Sequence, residues 1–310
     1  MQEITVALLS GGISSERYVS LKSGNEVYNA LDKNKYHVVR YDPKTDIAKI
    51  VADHSTIDIA LIIMHGPYGE DGTIQGLLDL LGIPYQGSGV LASAVSMDKI
   101  ISKKLYENAG LNVPSYIVID QNDYHYAKNS IRHMGLPVIL KPVKGGSSIG
   151  MDIVYTESDL SVSLENAFQY DNQVMLESYI KGTEITCGIL GNDELMPLPL
   201  IEIVPNQEYR FFDYEAKYKP GATNEICPAR IDDDLTQKSQ KCAIKAHQAL
   251  KCRGCSRTDM IINDDGIIYI LETNTIPGMT PTSLLPQAAK AAGLNFSQLL
   301  DRLIELGMQK

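Results

Sequence analysis

Ile4-Thr5-Val6-Ala7-Leu8-Leu9-Ser10-Gly11-Gly12 is an apolar run that stops at two glycines, and a helical pattern follows from about Ser15 to Leu31. Strand, glycine turn and helix in that order open a βαβ unit. The alternation continues with a strand at 36–42, a helix at 44–53 and a fully apolar strand at 58–64. Strands that are apolar on both faces and separated by helices predict a parallel sheet covered on each side, a doubly wound α/β arrangement. Helices near 90–109 then lead to Val113-Pro114, where proline breaks the pattern, and a domain boundary is placed near 98. From 115 to 181 the order is strand, helix, strand, glycine loop, strand, helix, strand, which describes a compact α+β module. Extended runs at 183–191 and 195–204, a polar and aromatic loop at 206–222 and a helix at 233–250 follow. Strands at 257–262 and 267–273 are joined by Asn263-Asp264-Asp265-Gly266, a hairpin signal. Helices near 283–291 and 295–306 close the chain, the last with Phe296, Leu299, Leu300, Leu303 and Ile304 on one face, a stripe suited to a core.

The 310 residues are 44% hydrophobic and 21% charged, enough apolar content to bury cores and too much for a disordered or fibrous chain. With 28 basic against 38 acidic residues, net charge −10 and no run of Lys or Arg, a broad grip on nucleic acid is disfavoured. Anions must instead be held locally, by a few lysines and backbone N–H groups. Cysteines 187, 227, 242, 252 and 255 are odd in number, which fits reduced thiols in a cytoplasmic protein. Cys252 and Cys255 form a C-x-x-C without a second pair or a nearby His, so they read as core thiols. The N-terminus lacks a basic start, and Ile59 to Met64 is far shorter than the roughly 20 residues that span a bilayer, so no membrane association is expected.

Four segments carry chemistry. Lys141-Pro142-Val143-Lys144-Gly145-Gly146-Ser147-Ser148-Ile149-Gly150 can expose successive N–H groups between lysines, a phosphate cradle without P-loop spacing; a polar hairpin with surface lysines is the alternative. Arg257-Thr258-Asp259 and Glu272-Thr273-Asn274 lie on the two strands of the hairpin. Residues two apart share a face, so Glu272 and Asn274 project together, and pairing of the strands would bring Asp259 beside Glu272. Three hard oxygen donors converging this way suit Mg²⁺, the alternative being a solvated face with an Arg–Asp pair. Glu16, just after Gly11-Gly12, would attract an ammonium group or simply complement a helix start. His65-Gly66-Pro67-Tyr68-Gly69-Glu70-Asp71-Gly72 follows the apolar strand, at the strand end where α/β proteins place ligands. The missing G-x-G-x-x-G spacing disfavours a nicotinamide oxidoreductase.

In their order along the chain, Ser15-Glu16-Arg17, the 65–72 segment, Ser96-Met97-Asp98-Lys99, Lys141-Pro142 with Gly146 to Gly150, Asp213-Tyr214-Glu215-Ala216-Lys217-Tyr218 and Glu272 to Thr280 resemble the D-alanine–D-alanine ligase family of the ATP-grasp superfamily. The resemblance runs from about residue 4 to 305. It implies a three-domain ATP-grasp architecture: residues 1–98 as the N-terminal doubly wound domain, 99–181 as the central subdomain and 182–310 as the C-terminal subdomain, two α+β domains enclosing ATP. The activity it implies is ligation of two D-alanines through an acyl phosphate, supplying peptidoglycan precursor.

Carried over by position, the resemblance implies that Lys99 and Lys141 contact ATP phosphates, that Gly146, Ser147 and Ser148 cover them, and that Glu177, Tyr179, Ile180 and Glu184 line the adenosine site, with Lys217 over the phosphoryl group. Asp259, Glu272 and Asn274 match ligands of two Mg²⁺ ions, for which Mn²⁺ can substitute. Arg257 and the Gly278 N–H match oxyanion stabilisers. Glu16 orients the first ammonium group, His65 lies near its carboxyl group, and Ser283 and Leu284 meet the second carboxylate. Glu16, Ser147 and Tyr218 resemble a hydrogen-bonded set that ties flaps to substrate. Tyr218 stands where relatives that make the D-alanine–D-lactate ester carry His and so resembles the amide-forming members, a D-alanine–D-lactate or D-alanine–D-serine ligase being the alternative within enzymes. Phe212 and Cys255 depart from the residues frequent in the family without removing a catalytic group. A homodimer is the family expectation, and a non-catalytic nucleotide-binding regulator is the alternative from another class.

Overall fold

A computed structural model describes residues 3–146, 149–205 and 223–309. The first sheet is parallel, in the order β2 (Tyr36–Tyr41), β1 (Ile4–Ser10), β3 (Ile59–Ile63). Alternation along its strands feeds two cores. Val6 and Leu8, with Ile59, Leu61 and Ile63, face Val27 of α1 (Arg17–Ala30). Ala7 and Leu9, with Ala60, Ile62 and Met64, face Ile50 of α2 (Ile47–Asp53) and Ile74 and Leu78 of α3 (Thr73–Leu81). Both faces are covered, which is why these strands read as unbroken apolar runs. α2 starts three residues later than its pattern suggests because the Asp42 carbonyl accepts from Thr45 and Asp46 N–H in a turn at 2.9 and 2.8 Å.

The helices expected near 90–109 are α4 (Val90–Met97) and α5 (Lys99–Asn108), divided at Asp98. Asp98 between them is extended, and its carboxylate accepts from Ile100 and Ile101 N–H as the N-cap of α5. That break turns Lys99 into the first residue of a new helix.

The second sheet is antiparallel, ordered β4 (Tyr116–Asp120), β7 (Gln173–Ser178), β5 (Val138–Pro142), β6 (Asp152–Val154). α6 (Tyr124–Met134) and α7 (Leu160–Ala167) pack against it through a core of Ile119, Ile131, Leu140, Leu164 and Leu176. The third sheet, among the described residues, is ordered β11 (Thr223–Ile226), β10 (Ile201–Pro205), β8 (Gly182–Gly191), β12 (Gly254–Asn263), β13 (Ile268–Asn274), with β9 (Met196–Pro197) on β8. β12 begins at Gly254 rather than 257 because it pairs with β8 along its whole length, from Gly254↔Gly191 to Asn263↔Gly182. α8 (Asp233–Ala249), capped by Asp232 accepting from Leu235 N–H, covers this sheet. α9 (Leu284–Ala291) and α10 (Phe296–Met308) follow. The Leu299, Leu300, Leu303 and Ile304 stripe of α10 joins Val6, Leu8 and Ile59 of the first sheet in one core with Leu190 and Leu285, so the last helix cements the first sheet to the third. No helix among the described residues is long and apolar enough to cross a membrane.

His247 of α8 lies in this interior, 1% exposed, with Nδ1 2.7 Å from Ser256 Oγ. Burial drives its pKa from 6.5 down to about 4. Between those values the unfolded chain binds a proton that the folded chain refuses, so stability falls as pH drops from 6.5 towards 4. Urea denaturation at pH 7 and pH 4.5 should show the His247→Asn variant losing less stability than the parent, by on the order of 2 kcal/mol.

Candidate active site

β12 and β13 form the floor of the site. On β12, Ser256, Thr258 and Met260 are buried on the core face, while Arg257, Asp259 and Ile261 are partly open on the other. β13 would be out of step with this, because Ile268 and Ile270 face the core and a regular strand would send Glu272 in after them. The register shifts instead: Asp259 opposes Glu272 but Met260 opposes Ile270, leaving Leu271 unopposed. This bulge reverses the phase of the strand, so Leu271 and Glu272 both line the cleft and Thr273 turns to the core. Leu271 lines the cleft beside Glu272, and Glu272 is the residue whose side the bulge changes.

Two chambers meet across this floor. The larger, about 430 Å³, lies between the second and third sheets and is lined by Lys99, Lys141, Gly146, Glu177, Tyr179, Ile180, Glu184, Asp259 and Glu272. Ile139, Met151, Ile261 and Leu271 give it apolar surface, in the size range of small-molecule sites. The second, about 390 Å³, is lined by Glu16, His65, Glu70, Gly146, Arg257, Asn274, Gly278, Ser283 and Leu284. Gly146 borders both, so the glycine loop sits at the junction. Ser147, Ser148, Phe212, Lys217 and Tyr218 lie outside the described residues.

The lysines of the first chamber are not surface lysines. Lys141 is 8% exposed and its Nζ is 2.5 Å from Glu177 Oε2. Lys103, wholly buried on α5, forms an ion pair with the other Glu177 oxygen and lies 5.5 Å from the Tyr116 ring centroid. Burial alone would raise the Glu177 pKa, yet the two lysines outweigh it and hold the carboxyl below the usual range. Glu177 thus enters the lining of the first chamber as the shared anion of two cations. Lys99 Nζ donates to the Gly145 carbonyl at 2.8 Å, tethering the glycine loop to α5.

Asp259 is the hub of the floor. Arg257 Nε and Nη2 donate to its two oxygens at 2.9 and 2.8 Å, Thr186 Oγ1 donates at 2.6 Å and Asn274 Nδ2 at 3.2 Å. The Arg–Asp pair weighed as the alternative to a metal face is therefore present, but the face is not solvated, since the two side chains are only 13% and 15% exposed. Among the described residues no group of three or more His, Cys, Asp and Glu could hold a metal. Two carboxylates and an amide fall short of a complete cage in the way Mg²⁺ uses when phosphate oxygens finish its shell.

In the second chamber Glu16 occupies the N-cap of α1, is 4% exposed, and does not cap the helix with its side chain. Arg17 fixes this turn by donating to the Gly12 carbonyl at 2.7 Å and pairing with Asp42. Ser14 Oγ ties it to the His65 carbonyl at 2.7 Å. Burial lowers His65 to about 4, with Arg257 adding to the effect, so its ring is neutral at pH 7. Glu70 accepts from Gly66 N–H at 2.6 Å, and burial, then the Glu16 charge, push it up to about 8, so it carries a proton near neutrality. Ser283 is the N-cap of α9, but its Oγ accepts from Thr280 N–H at 3.1 Å and makes no cap to the helix, leaving the first-turn N–H groups without a side-chain cap beside the chamber.

Lys103 and Glu70 were not singled out in sequence. Lys103 follows Lys99 by four residues, one helix turn on the same face, and Glu70 lies inside the 65–72 segment. Cys252 and Cys255 are buried free thiols, raised to about 11 and about 12 by burial, in keeping with core positions.

Comparison with known proteins adds the lineage. Residues 42–88 match the family model "D-ala D-ala ligase N-terminus" and residues 105–305 match "D-ala D-ala ligase C-terminus". A D-alanine–D-alanine ligase of Syntrophobacter fumaroxidans is 59% identical over 308 residues, 99% of each chain. Among solved structures, the Bacillus anthracis D-alanine–D-alanine ligase complexed with ATP superposes with TM-score 0.86 at 39% identity, covering 98% of this chain and 97% of that one. A D-Ala:D-Ser ligase from Enterococcus faecalis superposes with TM-score 0.86 at 33% identity, covering 99% and 100%.

Replacing Lys103 by Met removes one cation from a buried carboxylate that keeps the other. Complete loss of a partner costs about 3–5 kcal/mol, so Lys103→Met is expected to lose roughly 2–3 kcal/mol in urea denaturation. A change below half a kcal/mol would mean that Lys141 alone satisfies Glu177.

Proposed function

The chain belongs to the D-alanine–D-alanine ligase family, and on that premise we propose that its two chambers divide the reaction, nucleotide over one and amino acids over the other. The activity is ATP-dependent joining of two D-alanines into D-alanyl-D-alanine, with ADP and phosphate released, for peptidoglycan synthesis. The observation that carries the division is the facing of the floor: Asp259 and Glu272 open to the first chamber, Arg257 and Asn274 to the second.

A carboxylate resists attack by an amine, so its oxygen first takes the γ-phosphoryl group of ATP. ADP leaves and an acyl phosphate forms. The amine of the second D-alanine then attacks the carbonyl carbon, and the tetrahedral intermediate expels phosphate as the peptide bond closes. Lys99 and Lys141 are assigned to the phosphates, with Gly146, Ser147 and Ser148 covering them and Lys217 over the transferred group. Glu177, Tyr179, Ile180 and Glu184 are assigned to the adenosine side. Asp259, Glu272 and Asn274 supply the all-oxygen donor set that would hold Mg²⁺, two ions by family expectation, or Mn²⁺ in its place. The ion would offset charge on the phosphoryl group in transfer.

Glu16 is assigned to the first ammonium group, since its carboxylate borders the second chamber while the neighbouring Glu70 carries a proton and His65 is neutral. That leaves the carboxyl group of the first D-alanine beside His65 and under the Arg257 guanidinium. Arg257 and the Gly278 N–H are assigned to the oxyanion of the tetrahedral intermediate, where fixed donors contribute most. The first-turn N–H groups of α9 at Ser283 and Leu284 suit the second carboxylate. Tyr218, with Glu16 and Ser147, closes the set over the substrates. We further propose three domains, 1–98, 99–181 and 182–310, and a cytoplasmic homodimer, a compartment in keeping with the free cysteines.

Phosphate release with ATP, Mg²⁺ and D-alanine, with the product identified by mass, tests the reading. Dipeptide from D-alanine, none from L-alanine and no ester from D-lactate is the expected result. Ester formation from D-lactate at neutral pH would assign a different second substrate. Glu272→Gln and Arg257→Met should each lower kcat by about 10²-fold or more.

A further inference from the structure

We propose that Tyr106, a residue outside both chambers, is a positioning residue for the Asp259–Glu272–Asn274 set, holding the bulged strand in phase through the Thr273 hydroxyl. The inference rests on the metal-site reading above and adds to it the device that aims the ligands.

Tyr106 is fully buried, and its hydroxyl donates to Thr273 Oγ1 at 2.8 Å. Thr273 Oγ1 is also 3.1 Å from Thr258 Oγ1, directly across the strand pair. Thr258 and Thr273 are 0% and 4% exposed, and each is followed or preceded by a ligand candidate on the opposite face. Because side chains alternate, fixing Thr273 into the core fixes Glu272 and Asn274 toward the cleft. The bulge at Leu271 makes that fixing necessary, since the apolar half of β13 runs in the other phase. Were Glu272 to follow Ile270 inward, Thr273 would turn out and the Tyr106 hydroxyl would be left unpaired in an apolar core, which disfavours the slipped strand. Tyr106 shares one face of α5 with Lys99 and Lys103, at spacings of four and three residues. One helix therefore reaches the glycine loop, the Glu177 carboxylate and the floor strand.

The test measures ADP affinity by calorimetry with and without Mg²⁺. The ratio of the two isolates the metal-dependent gain from the nucleotide site itself. Tyr106→Phe removes one hydroxyl and keeps the ring; it should reduce the gain about fivefold, the size of one hydrogen bond, while ADP affinity without Mg²⁺ stays within about twofold. Thr273→Val should reduce the gain further, Thr273→Ser should restore it, and the double variant should be no worse than Thr273→Val, because both act through one contact. An unchanged gain in Tyr106→Phe and Thr273→Val, or an equal loss with and without Mg²⁺, would overturn the proposal. Glu272→Gln separates the two levels. If it abolishes the gain while Tyr106→Phe does not, positioning alone fails; if it leaves the gain intact, the metal-site reading fails and the positioning role with it.

Discussion

The pairing of β12 with β13, and the single extra residue in it, is the constraint on which the site depends. A regular ladder would bury Glu272 and expose Thr273. With Leu271 unopposed, the strand delivers an apolar side chain and then a carboxylate to the same cleft, and the carboxylate meets Asp259 across the pair. The same register puts Arg257 opposite Asn274, both lining the neighbouring chamber. One hairpin thus presents carboxylate oxygens to one chamber and a guanidinium to the other, within two residues along each strand.

Charge in a protein of net charge −10 is managed locally rather than by a basic surface. Lys103 and Lys141 share Glu177, so two basic side chains gather on one buried carboxylate beside the first chamber. In the second chamber burial keeps Glu70 protonated and His65 neutral near pH 7, while Glu16 and Arg257 offer charges of opposite sign to a zwitterionic amino acid, with Lys22 and Glu225 also in the lining. Asp259 is shared between Arg257, Thr186 and Asn274, and this shared hub couples the two chambers.

Much of this was legible in the sequence because periodicity and local chemistry agree there. The apolar runs at 4–9 and 58–64 announce a parallel sheet buried on both faces, and Asn263 to Gly266 announces the hairpin that brings Asp259 to Glu272. What was not legible depends on tertiary context. The bulge has no glycine or proline to mark it, so plain alternation from Ile268 and Ile270 would bury Glu272, which the register shift turns to the cleft beside Leu271. Lys103 looks like an ordinary helix-surface lysine until Glu177 arrives from a strand more than seventy residues later. Tyr106 is invisible for the same reason, its partner being supplied by β13.

The division of ligands between the two chambers is tested most directly by a crystal structure of the protein with a non-hydrolysable ATP analogue and D-alanine. The γ-phosphate is expected beside Lys99, Lys141, Asp259 and Glu272, with the amino acid across the floor against Glu16, Arg257 and Gly278. D-alanine in the chamber of Lys141 and Glu177, or phosphates against Ser283 and Leu284, would contradict that division.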